Sequence, residues 1–366
     1  MILLIKVNVG VSILNKIEAI KLHDNCVIKI KYSYPENTLV EKLVIYVNSS
    51  GPNTFENKRQ WIDGTTFNYH DLFINEFNKR GIAYCSYNTR GVDMGENPPL
   101  YAEINDDEYK TYLPSNSVKD IESIITYLKQ KDEFKNAKIY LLGWSEGTII
   151  APLVALNNNV KVDALLLAGY CNENLKDVLV YQLQGNSEFT LWRRLFDYDK
   201  KGYITKDDFE TDKYNARKAL FGDAAFEDLD ANHDGILTVE DAGVRSIPHL
   251  NDMLKAIETN DDDWLKNNHG VRLTSGWFKE HFNLKPNKEI LPLLDLPIFI
   301  FQGEYDTMCT KKYAEDIKRK FNELNKTNLT VYIFNDHDHD LNYHLFYVTK
   351  EVPLGIRTII NTVENL

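Results

Sequence analysis

Cysteine is scarce in this sequence: Cys26, Cys85, Cys171 and Cys309 are the four in 366 residues, and no two have C-x-x-C spacing. That excludes a dense disulfide framework and a zinc knuckle, and leaves reduced core thiols as the expectation. Basic residues are in deficit, 42 Lys and Arg against 54 Asp and Glu, for a net charge of −12. Phosphate backbones and anionic membranes need a basic footprint, so nucleic acid is excluded as a partner. Long apolar runs are missing too, since nothing approaches the roughly 18 consecutive apolar residues of a membrane span. The apolar N-terminus is interrupted at Lys6 with no small-residue cleavage site after it, so the expected location is the cytoplasm. No sequence feature points to a protein partner.

What is present is a globular composition, 43% hydrophobic and 12% aromatic, in a chain long enough for one large core plus an insertion. Partial alternation in Met1 to Val11 and Cys26 to Tyr34 predicts an antiparallel pair at a sheet edge. Apolar runs at Leu43–Val47, Ile82–Tyr87, Ile139–Leu142 and Val162–Gly169 read as buried strands. Helical spacing lies between them at Tyr69–Arg80 and Ser117–Lys129. Strand and helix alternate again from Leu296–Phe301 through Lys311–Leu324 to Leu329–Phe334. This rhythm predicts an α/β fold with a mostly parallel sheet flanked by helices. It stops between about 171 and 290, so residues 1–170 and 291–366 form the expected core and 171–290 an inserted, largely helical cap.

The apolar run through Leu142 enters Gly143-Trp-Ser145-Glu-Gly147, and a helical stretch follows. A serine on a strand-to-helix turn this tight needs small residues two positions on either side, which Gly143 and Gly147 supply. Ser145 is therefore the expected nucleophile. The N–H of Glu146 is expected to face the oxygen of an attacked carbonyl, because unpaired N–H groups gather at a helix N-terminus. Pro152 is expected to kink or shorten the helix.

A serine nucleophile needs a base, and the base needs a carboxylate to hold its tautomer. Asp306 lies just past the strand ending at Phe301, with Glu304 as the second choice. His337 and His339 lie just past the strand ending at Phe334. Both positions are the C-terminal ends of strands, where open α/β sheets build their sites. The surrounding Asp336, Asp338, Asp340 and His344 raise a metal-site reading, disfavoured because neighbours in an extended segment point to opposite sides.

Together these residues resemble the α/β-hydrolase family, in particular its carboxylesterase and serine-aminopeptidase-like subgroup. Val47-Asn-Ser-Ser-Gly-Pro52 resembles the His-Gly-x-Gly-Pro oxyanion loop, and Tyr87-Asn-Thr-Arg-Gly91 resembles Asp-x-Arg-Gly. Gly143-Trp-Ser-Glu-Gly147 resembles Gly-His-Ser-Glu-Gly, and His339-Asp-Leu341 fits the terminal Gly-His-Asp-Leu. The resemblance implies Ser145, Asp306 and His339 as nucleophile, acid and base. It also implies the Ser50 N–H as the second oxyanion donor. Asn48, Ser49, Asn88, Trp144 and Asp338 depart from the family pattern without removing a catalytic atom.

The insertion carries two acidic loops that match the helix-loop-helix calcium pattern, with oxygens at positions 1, 3, 5, 9 and 12, a carbonyl at 7 and glycine at 6. The stronger loop has Asp230, Asn232, Asp234, Gly235, the Ile236 carbonyl, Thr238 and Asp241 at those places. Asp241 is shorter than the usual glutamate, which weakens calcium and tilts the site toward magnesium. The other loop offers Asp197, Asp199, the Tyr203 carbonyl, Thr205 and Asp208, but Lys201 occupies position 5. The two loops resemble a paired EF-hand unit over about 187–253, meeting through Ile204 and Leu237. The whole reads as a serine hydrolase cleaving an ester or thioester of a small to medium acyl substrate through an acyl-enzyme, with calcium in the cap. A peptidase or amidase of the same fold is one alternative, and a calcium-responsive binding protein with a vestigial core is another.

Overall fold

A computed structural model of the chain describes residues 12–36, 39–61 and 63–366. Eight strands form one sheet: β1 (Ile13–Lys21), β2 (Val27–Pro35), β3 (Lys42–Val47), β4 (Ala83–Tyr87), β5 (Lys138–Trp144), β6 (Ala164–Ala168), β7 (Ile298–Gly303) and β8 (Leu329–Phe334). Their order is β1-β2-β4-β3-β5-β6-β7-β8. The β1–β2 and β2–β4 pairs are antiparallel, and every later pair is parallel. The segment Met1–Val11, expected in the edge hairpin, lies outside the described residues. The partner of β2 is instead Ile13–Lys21, whose charged residues at every second or third position mark an edge strand.

From β3 the chain passes to β4 on one side, then returns to β5 on the other. The loops after β3 and β5 thus open a crevice where the winding reverses, the place at which open α/β sheets bind ligands.

The apolar runs have no polar alternation because both faces are covered. Leu43, Ile45, Ile139, Leu141, Leu165 and Leu167 point to one side, toward α2 (Pro114–Lys129) and α3 (Gly147–Asn157). Val44, Tyr46, Tyr140, Leu142 and Leu166 point to the other, where Phe73 and Phe77 of α1 (Asp71–Asn78) pack with Ile356 and Ile359 of the C-terminal helix. The helix expected from Ser117 begins at Pro114, because proline lacks only an N–H that the first turn leaves unpaired.

Helix α3 runs through Pro152 to Asn157, so the proline does not shorten it. Proline cannot donate to the Thr148 carbonyl one turn back, but Asn287 Nδ2 does so from the returning segment, at 2.8 Å. The replacement donor removes much of the penalty that an interior proline otherwise carries.

Between β6 and β7 the chain is helical: α4 (Leu175–Tyr181), α5 (Ser187–Phe196), α6 (Lys206–Thr211), α7 (Phe226–Leu229), α8 (Val239–Thr259) and α9 (Ser275–Phe282) are its main helices. Helices α5 to α8 enclose a separate apolar cluster of Trp192, Phe196, Ile204, Phe209, Phe226, Leu229 and Leu237. A two-residue antiparallel ladder joins Ile204 to Leu237. No helix among the described residues is long and apolar enough to cross a membrane.

Candidate active site

Ser145 follows β5 with φ +54°, a left-handed conformation that a side-chain-bearing residue adopts only under surrounding constraint. The constraint is visible in the two glycines. A Cβ on Gly143 would lie 2.3 Å from the Gly147 carbonyl oxygen, and one on Gly147 would lie 2.2 Å from that of Val47. The turn closes only with hydrogen at both places, which is the physical content of G-x-S-x-G.

Ser145 opens into a cavity of about 460 Å³ shared with Ser49, Ser50, Glu146 and His339. Leu175, Val178, Leu179 and Leu183 wall it from α4 and beyond, and Leu273, Trp277 and Phe278 from the other end of the insertion. Its walls are thus largely apolar and of a size suited to a small organic molecule.

His339 Nδ1 lies 2.9 Å from each carboxylate oxygen of Asp306. Asp306 is buried and fully engaged. Its Oδ1 accepts from the N–H groups of Met308 and Cys309 at 2.8 and 2.7 Å, and its Oδ2 accepts from Gln302 Nε2 at 2.8 Å. Trp144 Nε1 donates to the His339 carbonyl at 3.2 Å, so the residue before Ser145 holds the His339 backbone in place. The ring packs onto Gly169, where a Cβ would lie 2.6 Å from His339 Cε1. Burial alone would lower the pKa of His339, but the adjoining Asp306 carboxylate, its hydrogen bond, Asp340 and Cys171 outweigh it and raise the imidazole to about 9. His337 turns away, its Nδ1 on the Asn335 carbonyl at 2.7 Å. Glu304 also faces elsewhere, toward Lys311 at 3.2 Å.

No hydrogen bond among the described residues joins Ser145 directly to His339, although both face the same cavity. Such contacts often tighten only with substrate bound. Ser50 lies on the cavity wall, and its neighbour Asn48 is anchored by Nδ2 donating to the Tyr87 carbonyl at 3.1 Å.

The Glu146 side chain has a role that the motif did not suggest. Its buried carboxylate accepts from Tyr112 Oη at 2.5 Å and Trp277 Nε1 at 3.0 Å, and lies 2.9 Å from His281 Nε2. Trp277 and His281 belong to α9, so the residue after the serine bolts the insertion to the elbow. Burial and the Glu146 charge push the Tyr112 phenol well up. Nothing local to the motif signals these partners, since all three lie far along the chain.

The two acidic loops differ. In the first, Lys201 Nζ sits on Asp208 Oδ2 at 2.7 Å, while Thr205 donates to the same oxygen from N–H and hydroxyl at 2.9 and 2.7 Å. These bonds outweigh burial and hold the Asp208 carboxyl below its ordinary range. Asp197 accepts from the N–H groups of Lys201 and Gly202 at 2.7 and 2.8 Å. Asp199 and Tyr203 lie exposed on the same loop. In the second loop, Asp230 accepts from Gly235 N–H at 2.9 Å, and Asp234 N–H bonds to Asn232 Oδ1 at 3.0 Å. Asp241 accepts from the N–H groups of Ala231 and Thr238 at 2.9 and 2.7 Å, and from the Thr238 hydroxyl at 3.1 Å. Among the described residues no lysine or arginine pairs with Asp230, Asp234 or Asp241. The oxygens of those three do not all converge within 4.8 Å; only Asp306, Cys309 and His339 form such a group among the described residues. Asp336, His337, Asp338, Asp340 and His344 form none.

A family model described as the alpha/beta hydrolase fold matches residues 61–343. No curated protein matches the chain. Among solved structures, a thermostable carboxyl esterase from Bacillus coagulans is similar with TM-score 0.53 at 13% identity, over 96% of this chain and 99% of that one. A lipase in an open form is similar with TM-score 0.51 at 12% identity, over 96% and 100%. An acylaminoacyl peptidase from Pyrococcus horikoshii is similar with TM-score 0.50 at 11% identity, over 98% of this chain and 41% of that one.

Proposed function

The chain belongs to the alpha/beta hydrolase fold family, and from this premise we propose that it is a serine hydrolase cleaving a carboxylic ester or thioester through an acyl-enzyme. The observation that carries the proposal is the pairing of His339 Nδ1 with a buried Asp306 beside a left-handed Ser145 in one apolar cavity. Asp306 holds the proton of His339 on Nδ1, leaving Nε2 free to take the Ser145 proton as Oγ attacks the substrate carbonyl carbon. The developing oxyanion is received by the N–H groups of Glu146 and Ser50. His339 then returns its proton to the leaving alcohol or thiol, and water, activated by the same imidazole, releases the acid. The apolar wall favours an acyl chain of small to medium size, because the cavity offers few polar partners.

The insertion, 171–290, is proposed as a cap that carries one divalent cation, calcium or magnesium, in the second loop. Asp230, Asn232, Asp234, the Ile236 carbonyl, Thr238 and Asp241 would hold it, and the ion would supply charge neutralisation to three carboxylates that lack a basic partner. Those carboxylates must close in, and Asp241 reaches less far than the glutamate usual at its position. The first loop fits a metal poorly, since the Lys201 ammonium already stands on Asp208.

Fluorophosphonate labelling tests the central claim. The wild-type protein should be labelled at Ser145 and lose ester turnover, and Ser145→Ala should neither label nor turn over while keeping the wild-type melting temperature. Labelling at another residue, or turnover by a folded Ser145→Ala, would remove the assignment.

A further inference from the structure

Two thiols in the cavity wall take no part in the acyl transfer. Cys171 opens the segment that leaves the sheet after β6, and Cys309 ends the loop that holds Asp306 after β7. Although 138 residues apart in sequence, their sulfurs stand 3.1 Å apart. Both line the cavity of Ser145, so a small solute entering that cavity meets them. The approach is held by backbone. Gln302 accepts from the Tyr170 N–H through Oε1 at 2.9 Å and donates to the Cys309 carbonyl through Nε2 at 2.7 Å. Asn287 Nδ2 bonds the Cys171 carbonyl at 2.7 Å.

The pair is polarised as well as close. The Cys309 thiol, hydrogen-bonded to Cys171, draws the Cys171 pKa below its ordinary value; burial opposes this and nearby His339 reinforces it. The same contact, with burial, pushes Cys309 up. One sulfur is thereby prepared as nucleophile and the other as its partner.

We propose that Cys171 and Cys309 are a thiol-oxidation site, forming a reversible disulfide across the base of the cap that slows the enzyme. The oxidant is a hydroperoxide. The Cys171 sulfur attacks one peroxide oxygen, the O–O bond breaks and the second oxygen leaves as hydroxide, giving a sulfenic acid. Cys309 loses its proton and attacks the Cys171 sulfur, forming the S–S bond and expelling the sulfenyl oxygen as a second hydroxide. Two thiols are oxidised and one hydrogen peroxide becomes two waters. A disulfide bond is about 2 Å long, so the sulfurs need approach by only about 1 Å. Cys309 also donates its N–H to Asp306 at 2.7 Å, so drawing it toward Cys171 disturbs the bed of the carboxylate that holds His339. This effect on turnover rests on the serine-hydrolase reading, whereas formation of the bond does not.

The test treats the reduced full-length protein with one equivalent of hydrogen peroxide. Expected are a mass loss of two hydrogens, a Cys171–Cys309 cross-linked peptide, and ester turnover lowered about tenfold, the scale of one hydrogen bond to a charged group. Dithiothreitol should restore turnover. Cys309→Ser and, separately, Cys171→Ser should lose the mass change and the cross-link, each compared with its own untreated sample. Sulfinic acid without cross-linking, or a link through Cys26 or Cys85, would overturn the site. A correct cross-link with unchanged turnover would overturn the slowing. A correct cross-link in a protein inactive toward esters even when reduced would uphold the oxidation site and count against the hydrolase reading.

Discussion

Replacing Glu146 with alanine separates two roles of one residue, because the backbone N–H proposed for the oxyanion survives while the carboxylate is lost. That carboxylate serves Tyr112, Trp277 and His281, which come from positions 34, 131 and 135 residues away. All three partners are buried, and their polar atoms would be left facing a void. An unpaired buried donor costs about 1–3 kcal/mol. Because Glu146 also touches the cavity, water can re-pair part of the set, and the expected loss is about 3–5 kcal/mol. For a chain of this size that is a fall in melting temperature of roughly 4–7 °C. Glu146→Gln keeps the shape and can keep its oxygen on Trp277 and His281 while its N–H turns to the Tyr112 hydroxyl, which can accept, so at most about half the loss is expected. Since Trp277 and His281 carry α9, the cap should loosen against the elbow. KM for a bulky ester should then rise several-fold more than KM for acetate esters. Differential scanning calorimetry and a chain-length series of p-nitrophenyl esters read both effects. A Glu146→Ala protein melting within about 1 °C of wild type, with the same chain-length profile, would refute the reasoning.

Turnover should rise with pH along a limb lying above the ordinary histidine value of 6.5 and toward 9, since the base must be neutral and its folded pKa is raised; activity is lost as pH falls through that value. Asp306→Asn should move the limb to lower pH, because burial then acts unopposed by the aspartate charge, and should cut kcat about 10³–10⁴-fold; a pH–rate profile in both proteins checks the sign. His339→Ala should match the loss in Ser145→Ala, whereas His337→Ala should keep most activity, and the reverse result in an ester assay would transfer the base role. Calcium should bind with a stoichiometry near one by titration calorimetry and raise the melting temperature, by about 2.7 kcal/mol of stabilisation at a hundredfold excess over Kd. Asp230→Ala should remove that gain and Asp197→Ala should remove less; two equal sites would contradict the role given to Lys201.

The sequence by itself determined whatever depends on near neighbours along the chain. Buried runs such as Leu43–Val47 are legible because a strand covered on both faces has no polar alternation, and the half-exposed edge strand Leu329–Phe334 also begins and ends where the apolar run does. The elbow is legible because the space for Gly143 and Gly147 is set by atoms within a few residues and by the adjoining β3. The spacing of the loop carboxylates is local in the same sense, whereas the set Ser145, Asp306 and His339 was legible through the strand end that precedes each and through the family resemblance. Helix ends were less so: Pro114 extends α2 and Pro152 does not end α3, since Asn287 supplies the missing donor from 139 residues away. The choice of His339 over His337 was legible only through the resemblance of His339-Asp-Leu341, and tertiary structure supplies its physical reason, since packing against Gly169 and Trp144 orients that ring toward Asp306. Tertiary structure alone gave Glu146 its three partners and brought Cys171 to Cys309. Local patterns record the conformation that a segment must adopt, whereas a buried polar or thiol group is satisfied by whichever distant segment the sheet order brings beside it. No spacing in the sequence records that meeting.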